Sequence, residues 1–214
     1  MYDKQIEDSL KILKQAKISL AKGMTKQELR LAEMRFGIKF PSDYREFLSA
    51  CLPLSDDFTN WRDVSDENVF FIKQKMFDWT IEGVLYTIEK LNGWLPAWGN
   101  KPNIQEWALA LAKQNIKKHP LFMPICSHRF LSLSPMEAGN PVYSIHDGTD
   151  VICYGQDFWD YIKRDFADYE PRDTVDLKSI KEPIPQYNVF VYHSINNFFY
   201  QGKISYDEHG KYIL

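Results

Sequence analysis

The sequence predicts an α+β fold: a single domain in which a mostly antiparallel sheet is flanked by helices. Three observations predict it. Apolar residues recur at three-to-four spacing through the first fifty residues and again from Asn103 to Lys118, which is helical periodicity. Beyond Pro120 the pattern shortens to apolar runs of five or six residues, the length of strands. The composition, 44% hydrophobic and 26% charged over 214 residues, is that of a globule that buries roughly 70% of its unfolded surface without a disulfide or metal staple.

Ile6, Leu10, Leu13, Ile18 and Leu20, set among lysines and glutamates, predict an amphipathic helix that Gly23 ends. Thr25-Lys26-Gln27-Glu28 is a capping box, in which the threonine oxygen takes one orphan amide and the glutamate reaches back to another. It opens a second helix, Lys26 to Phe36, stopped by Gly37 as a left-handed C-cap. Pro41 fixes the turn into a third helix, about Ser42 to Cys51, whose Tyr44, Phe47 and Leu48 share one face. Leu52 to Asn68, with Pro53 and several Ser and Asp, reads as a loop, and Val69 to Lys73 as a short strand. Asp78 to Leu91 fits a helix through Ile81, Leu85, Ile88 and Leu91, or a strand alternating over Val84 to Ile88. Trp94 and Trp98 stand in a turn-rich segment between Gly93 and Gly99, where they are expected to cap the core. From Asn103 to Lys118, Ile104, Trp107, Ala108, Leu111, Ala112 and Ile116 form one helical stripe.

Phe122 to Cys126, Arg129 to Leu133, Pro141 to His146 and Thr149 to Tyr154 read as strands. Asp147-Gly148 joins the last two, because both turn positions tolerate positive φ. Gln156 to Phe166 closes as a helix with Phe158, Tyr161, Ile162 and Phe166 on one side. Val189 to Tyr192 and Phe198 to Ser205 have the pattern of a further β-hairpin.

The formal charge of −3 argues against binding to nucleic acid or a membrane surface through bulk positive charge. No run approaches 18 apolar residues and the N-terminus lacks a signal-peptide pattern, so no membrane span is expected. Cys51, Cys126 and Cys153 are an odd number without CxxC spacing, which predicts buried free thiols in the cytoplasm. No P-loop, GxGxxG, HExxH or GxSxG occurs, and the five histidines stand singly, so no catalytic residue, metal or cofactor is expected. The enzyme reading that remains is built on His128, Arg129 and Asp150, or on Cys126 or Cys153 as a nucleophile beside His128; Arg129 more readily forms a structural ion pair.

Aromatic residues make up 15% of the chain, enough for a thick core or a recognition surface. Between Asp56 and Glu67, five carboxylates face Arg62 alone, with Phe58 and Trp61 between them; Asp165 to Asp176 repeats the pattern against Arg172. Carboxylates interleaved with rings suit a basic protein partner, the charges steering encounter and the rings supplying anchors. A solvated loop and a charged helix end account for the same residues.

The run Leu31-Ala32-Glu33-Met34-Arg35-Phe36-Gly37-Ile38-Lys39-Phe40-Pro41-Ser42-Asp43-Tyr44-Arg45-Glu46-Phe47-Leu48 resembles the opening signature of the SMI1/KNR4, or SUKH, superfamily. Trp94 to Gly99, Leu121-Phe122-Met123-Pro124-Ile125, Ser127-His128-Arg129, Gly139 to Ser144 and Asp150 to Gly155 resemble its bacterial branch in order. The resemblance implies a SUKH-like domain over 24–166, an N-terminal helix over 1–23 packed on it, and a C-terminal extension over 167–214. It implies a non-catalytic protein-binding module: an immunity protein that neutralises a toxin domain, often a nuclease, by stoichiometric binding, or a regulatory scaffold that recruits an endogenous partner. Under that resemblance the contact surface is expected at the acidic loop, through Asp56, Asp57, Phe58, Trp61, Asp63, Asp66 and Glu67, since variable loops encode partner choice.

Overall fold

The computed structural model describes residues 2–55, 57–90, 92–94, 98–116, 122–133, 137–146, 150–167, 205–206 and 212–213. Helix α1 (Asp3–Gln15) stops earlier than the apolar spacing predicts, because Lys17 turns into the left-handed region at φ 60°. Ile18 N–H then donates to the Leu13 carbonyl at 2.9 Å and Lys17 N–H to that of Lys14 at 3.0 Å, the paired bonds of a Schellman motif. Ile18 and Leu20 thereby leave the helix, and strand β1 (Leu20–Lys22) pairs antiparallel with β2 (Cys51–Pro53). Gly23 ends no helix. A Cβ there would lie 1.9 Å from the Ser49 carbonyl oxygen, so its role is to let two backbones pass. A non-glycine residue in the left-handed region costs roughly 1 kcal/mol. Lys17→Gly is therefore expected to raise the unfolding free energy by roughly 0.5–1 kcal/mol in urea, and a lowered midpoint would contradict the Schellman assignment.

Helix α2 (Lys26–Phe36) carries both bonds of the predicted capping box: Thr25 N–H to Glu28 Oε2 at 2.7 Å and Glu28 N–H to Thr25 Oγ1 at 3.2 Å. Gly37 sits at φ 72°, and its amide and that of Ile38 both donate to the Glu33 carbonyl at 3.0 Å. Helix α3 (Ser42–Ala50) buries Tyr44, Phe47 and Leu48 as their spacing predicts, and Cys51 already belongs to β2.

The largest departure is α4 (Asp66–Lys90), which takes in the segment read as a strand at Val69 to Lys73 and settles the ambiguous stretch after it as helix. Ser65 caps it, its Oγ accepting from Asn68 N–H at 3.3 Å and its carbonyl from Val69 N–H at 2.9 Å. Ile72 and Met76, one turn apart, are both buried. In α5 (Gln105–Ile116) the predicted stripe divides. Ala108 and Ala112 are fully buried, whereas Ile104 and Trp107 stay in water, because close packing on α4 admits only the small side chains. Trp94 and Trp98 meet edge-on at 5.3 Å, both half-buried.

Four strands, β3 (Phe122–Cys126), β4 (Arg129–Ser132), β5 (Val142–His146) and β6 (Asp150–Gly155), form an antiparallel sheet in that order, close to their sequence-predicted positions. The Asp147-Gly148 turn lies outside the described residues. Helix α6 (Phe158–Phe166) is capped by Asp157, whose Oδ1 accepts from Asp160 N–H at 2.7 Å. Its Phe158 receives Tyr44 and Phe47 edge-on at 4.9 and 4.7 Å. Helix α1 lies on α6, with Tyr2 against Trp159 at 5.9 Å. β7 (Ser205–Tyr206) pairs with β8 (Tyr212–Ile213); the hairpin expected between Val189 to Tyr192 and Phe198 to Ser205 lies outside the described residues except for Ser205, which pairs with Ile213. The domain is α+β, its core between the sheet and α2, α3 and α6. Among the described residues, no helix is long and apolar enough to cross a membrane.

Candidate functional site

The loop between β2 and α4 sorts its residues by chemistry. Trp61 has no exposed surface: its ring meets Phe36 and Phe40 edge-on at 5.0 and 5.2 Å, and its Nε1 donates to the Tyr44 hydroxyl at 2.9 Å. Phe58 is also buried and stacks on Phe166 at 5.4 Å. Around these rings the loop is sewn along the outer edge of β3. Thr59 N–H donates to the Ile125 carbonyl at 3.1 Å, Thr59 Oγ1 to that of Pro124 at 2.9 Å, and Ser127 N–H to that of Asp57 at 2.6 Å. This corrects the expectation that Phe58 and Trp61 anchor a partner. A strap that covers a sheet edge buries its own rings, each worth roughly 2–3 kcal/mol of transfer free energy.

The carboxylates stay outside. Asp57, Asp63, Asp66 and Glu67 are exposed, and Asp56 lies outside the described residues. Asp63 Oδ1 accepts from Ser65 N–H at 3.0 Å, which holds its carboxyl below the usual carboxylate range. Arg62 faces away from these acids: its Nε donates to Glu28 Oε1 at 2.9 Å and its Nη2 to the Lys22 and Gly23 carbonyls at 2.7 and 3.2 Å. Arg62 therefore compensates none of the rim's carboxylates. Asp66 pairs with Arg35, whose guanidinium also donates to the Val64 carbonyl at 3.3 and 3.1 Å.

That ion pair joins a face of α2 to a face of α4. Leu31 lies one turn before Arg35 on α2, and Phe70 one turn after Asp66 on α4, so the pair sets them on adjoining surfaces. Leu31, Met34, Phe70 and Phe71 are 41%, 69%, 64% and 51% exposed. Lys75 stands over the Phe71 ring at 4.8 Å, and partial burial pulls its pKa below the usual lysine value. Beside Met34, an open depression of about 350 Å³ is lined by Arg30, Glu33, Gly37, Ile38 and Lys39. Glu33 is buried but compensated, by Phe40 N–H at 3.3 Å, Lys39 at 3.2 Å and Arg45 at 3.5 Å.

No family model, curated protein or solved structure matches the chain. Its surfaces therefore speak only through their own chemistry.

His128 and Arg129 are in contact, and the side chain of Asp150 is not among those described. Asp150 pairs in register with His146, and the carboxylate that receives Arg129 is Asp165, with Nε to Oδ2 at 3.1 Å and Nη2 to Oδ1 at 3.3 Å. Arg129 also donates to Ser144 Oγ at 2.8 Å, touches His128 Nε2, and lies 3.7 Å over the Tyr154 ring. Its donors thus fasten α6 to the sheet, which is the ion-pair role that its position between apolar strands predicts. Burial pushes the Cys126 thiol up to about 11 and Cys51 to about 12, away from the thiolate that a nucleophile needs. All three cysteines are free and buried. Among the described residues no group of three or more His, Cys, Asp or Glu is placed to hold a metal.

Phe70 and Phe71 escape a reading that takes Val69 to Lys73 as a strand. The signal that finds them is Ser65-Asp66-Glu67-Asn68, a cap followed by acids in a first helical turn. Two consecutive rings on a helix stand about 100° apart, and here Ile72 and Met76 already occupy the inward face.

Proposed function

We propose that this protein is a non-catalytic binding module that neutralises a basic toxin domain, of the nuclease kind, by stoichiometric contact. The observation that carries the reading is the set of exposed apolar side chains Met34, Phe70 and Phe71 beside the exposed carboxylates Asp57, Asp63 and Glu67, from which Arg62 turns to Glu28 while Arg35 takes Asp66. Rings of this kind anchor a partner, and an acidic rim accelerates its encounter. The sequence resemblance to SUKH immunity proteins supports the same role. Three buried free thiols support a reducing compartment, the cytoplasm.

The test is affinity capture from the native host's lysate at low and high salt, comparing wild type with Phe70→Ser/Phe71→Ser and with Asp57→Lys/Glu67→Lys. The expected result is one stoichiometric basic partner, lost with the ring variant and captured more slowly, with less salt sensitivity, by the charge variant. Equal capture by wild type and ring variant would sink the assignment of this face. A housekeeping partner captured in pure culture would favour the regulatory scaffold instead.

A further inference from the structure

Helix α5 carries a second exposed surface, independent of the face offered to a toxin. With Ala108 and Ala112 buried, the outward stripe of α5 is Trp107, Ala110 and Gln114, all exposed, and Trp107 keeps 65% of its surface in water. Their spacing of three and four is that of one heptad in the seam between two packed helices. We propose that this seam seats a second copy of the chain, with α5 packed antiparallel on α5 across a twofold axis.

Charge and shape select that occupant. Glu106 and Lys113 are exposed, seven residues apart on one flank of the seam. Antiparallel pairing brings each Glu106 to Lys113 of the second copy, twice by symmetry, whereas parallel pairing sets Glu106 against the apolar flank and leaves it without a cation. Nearest the axis, the large Trp107 meets the small Ala110 of the second copy, so the layer interdigitates. On the other flank, Ile104, 48% exposed, meets the half-buried Leu111 of the second copy. The apolar area offered by Trp107 and Ile104 is on the order of 200 Å² per copy, which places the interface below the standard size of about 1,600 Å² and makes the dimer weak.

Sedimentation equilibrium of the full chain, from about 2 to about 300 μM, is expected to show the 25.2 kDa protomer converting to a dimer with a micromolar Kd. Trp107→Asp, at an exposed position, is expected to weaken the dimer at least about tenfold without altering the circular dichroism melt. Glu106→Lys alone creates two like-charge contacts and weakens it about tenfold, while Glu106→Lys with Lys113→Glu restores wild-type affinity within about twofold. A chain monomeric at the highest concentration overturns the proposal. So does a dimer that survives Trp107→Asp, a double exchange no tighter than the single, or association that continues past two copies.

Discussion

Trp61→Ala is expected to lower the unfolding free energy by roughly 3–5 kcal/mol, the cost of emptying a fully buried aromatic site. The ring has no exposed surface, packs against Phe36 and Phe40, and gives its N–H to the Tyr44 hydroxyl, so its removal opens a cavity and leaves a buried hydroxyl without its donor. Trp61→Phe keeps most of the volume and loses the N–H, and is expected to cost roughly 1–2 kcal/mol. Urea unfolding at constant m-value measures both. A Trp61→Ala loss below about 1 kcal/mol would mean that the ring is free to face a partner, against the burial described above.

Arg129→Ala carries the second large effect, again roughly 3–5 kcal/mol. Arg129 and Asp165 are 14% and 18% exposed, so truncating the cation strands a mostly enclosed carboxylate and removes the group stacked on Tyr154. The double variant Arg129→Leu/Asp165→Leu removes both charges and is expected to recover at least half of the loss. A double variant as unstable as the single would show that packing, and not the unpaired charge, sets the cost. A single variant within about 1 kcal/mol of wild type would show that the pair does not hold α6 to the sheet.

Much of the scaffold is legible in single residues because local chemistry decides it. Thr25 and Glu28 can cap only a helix that starts at Lys26, and Gly37 accepts the left-handed turn that ends it. The four strands follow from short apolar runs with turns between them. Misreadings arise where the deciding contact is distant. Nothing near Lys17 announces a left-handed residue, since the compensation is the burial of Leu13 behind it and the pairing of β1 with β2. Val69 to Lys73 is too short for periodicity to separate strand from helix; Ser65 decides it through a side-chain cap.

Two rings of the acidic loop are misplaced by sequence for the same reason. Phe58 and Trp61 stand among carboxylates and look exposed, yet the edge of β3 and the rings of Phe36 and Phe40 take them inward. The acids Asp57, Asp63, Asp66 and Glu67 are outside as expected, but the rings beside them that reach solvent are Phe70 and Phe71. Burial is a property of the assembled fold, and alternating acids and rings in sequence do not report it.

The partner-facing role of the α2–α4 face is tested most directly by photo-crosslinking in the native host. A photoreactive phenylalanine analogue is placed at Phe70 in one strain and at Lys11, exposed on α1, in another. One crosslinked adduct, containing a basic toxin domain, is expected from position 70, and none from position 11. An adduct from position 11 with none from position 70 would contradict it.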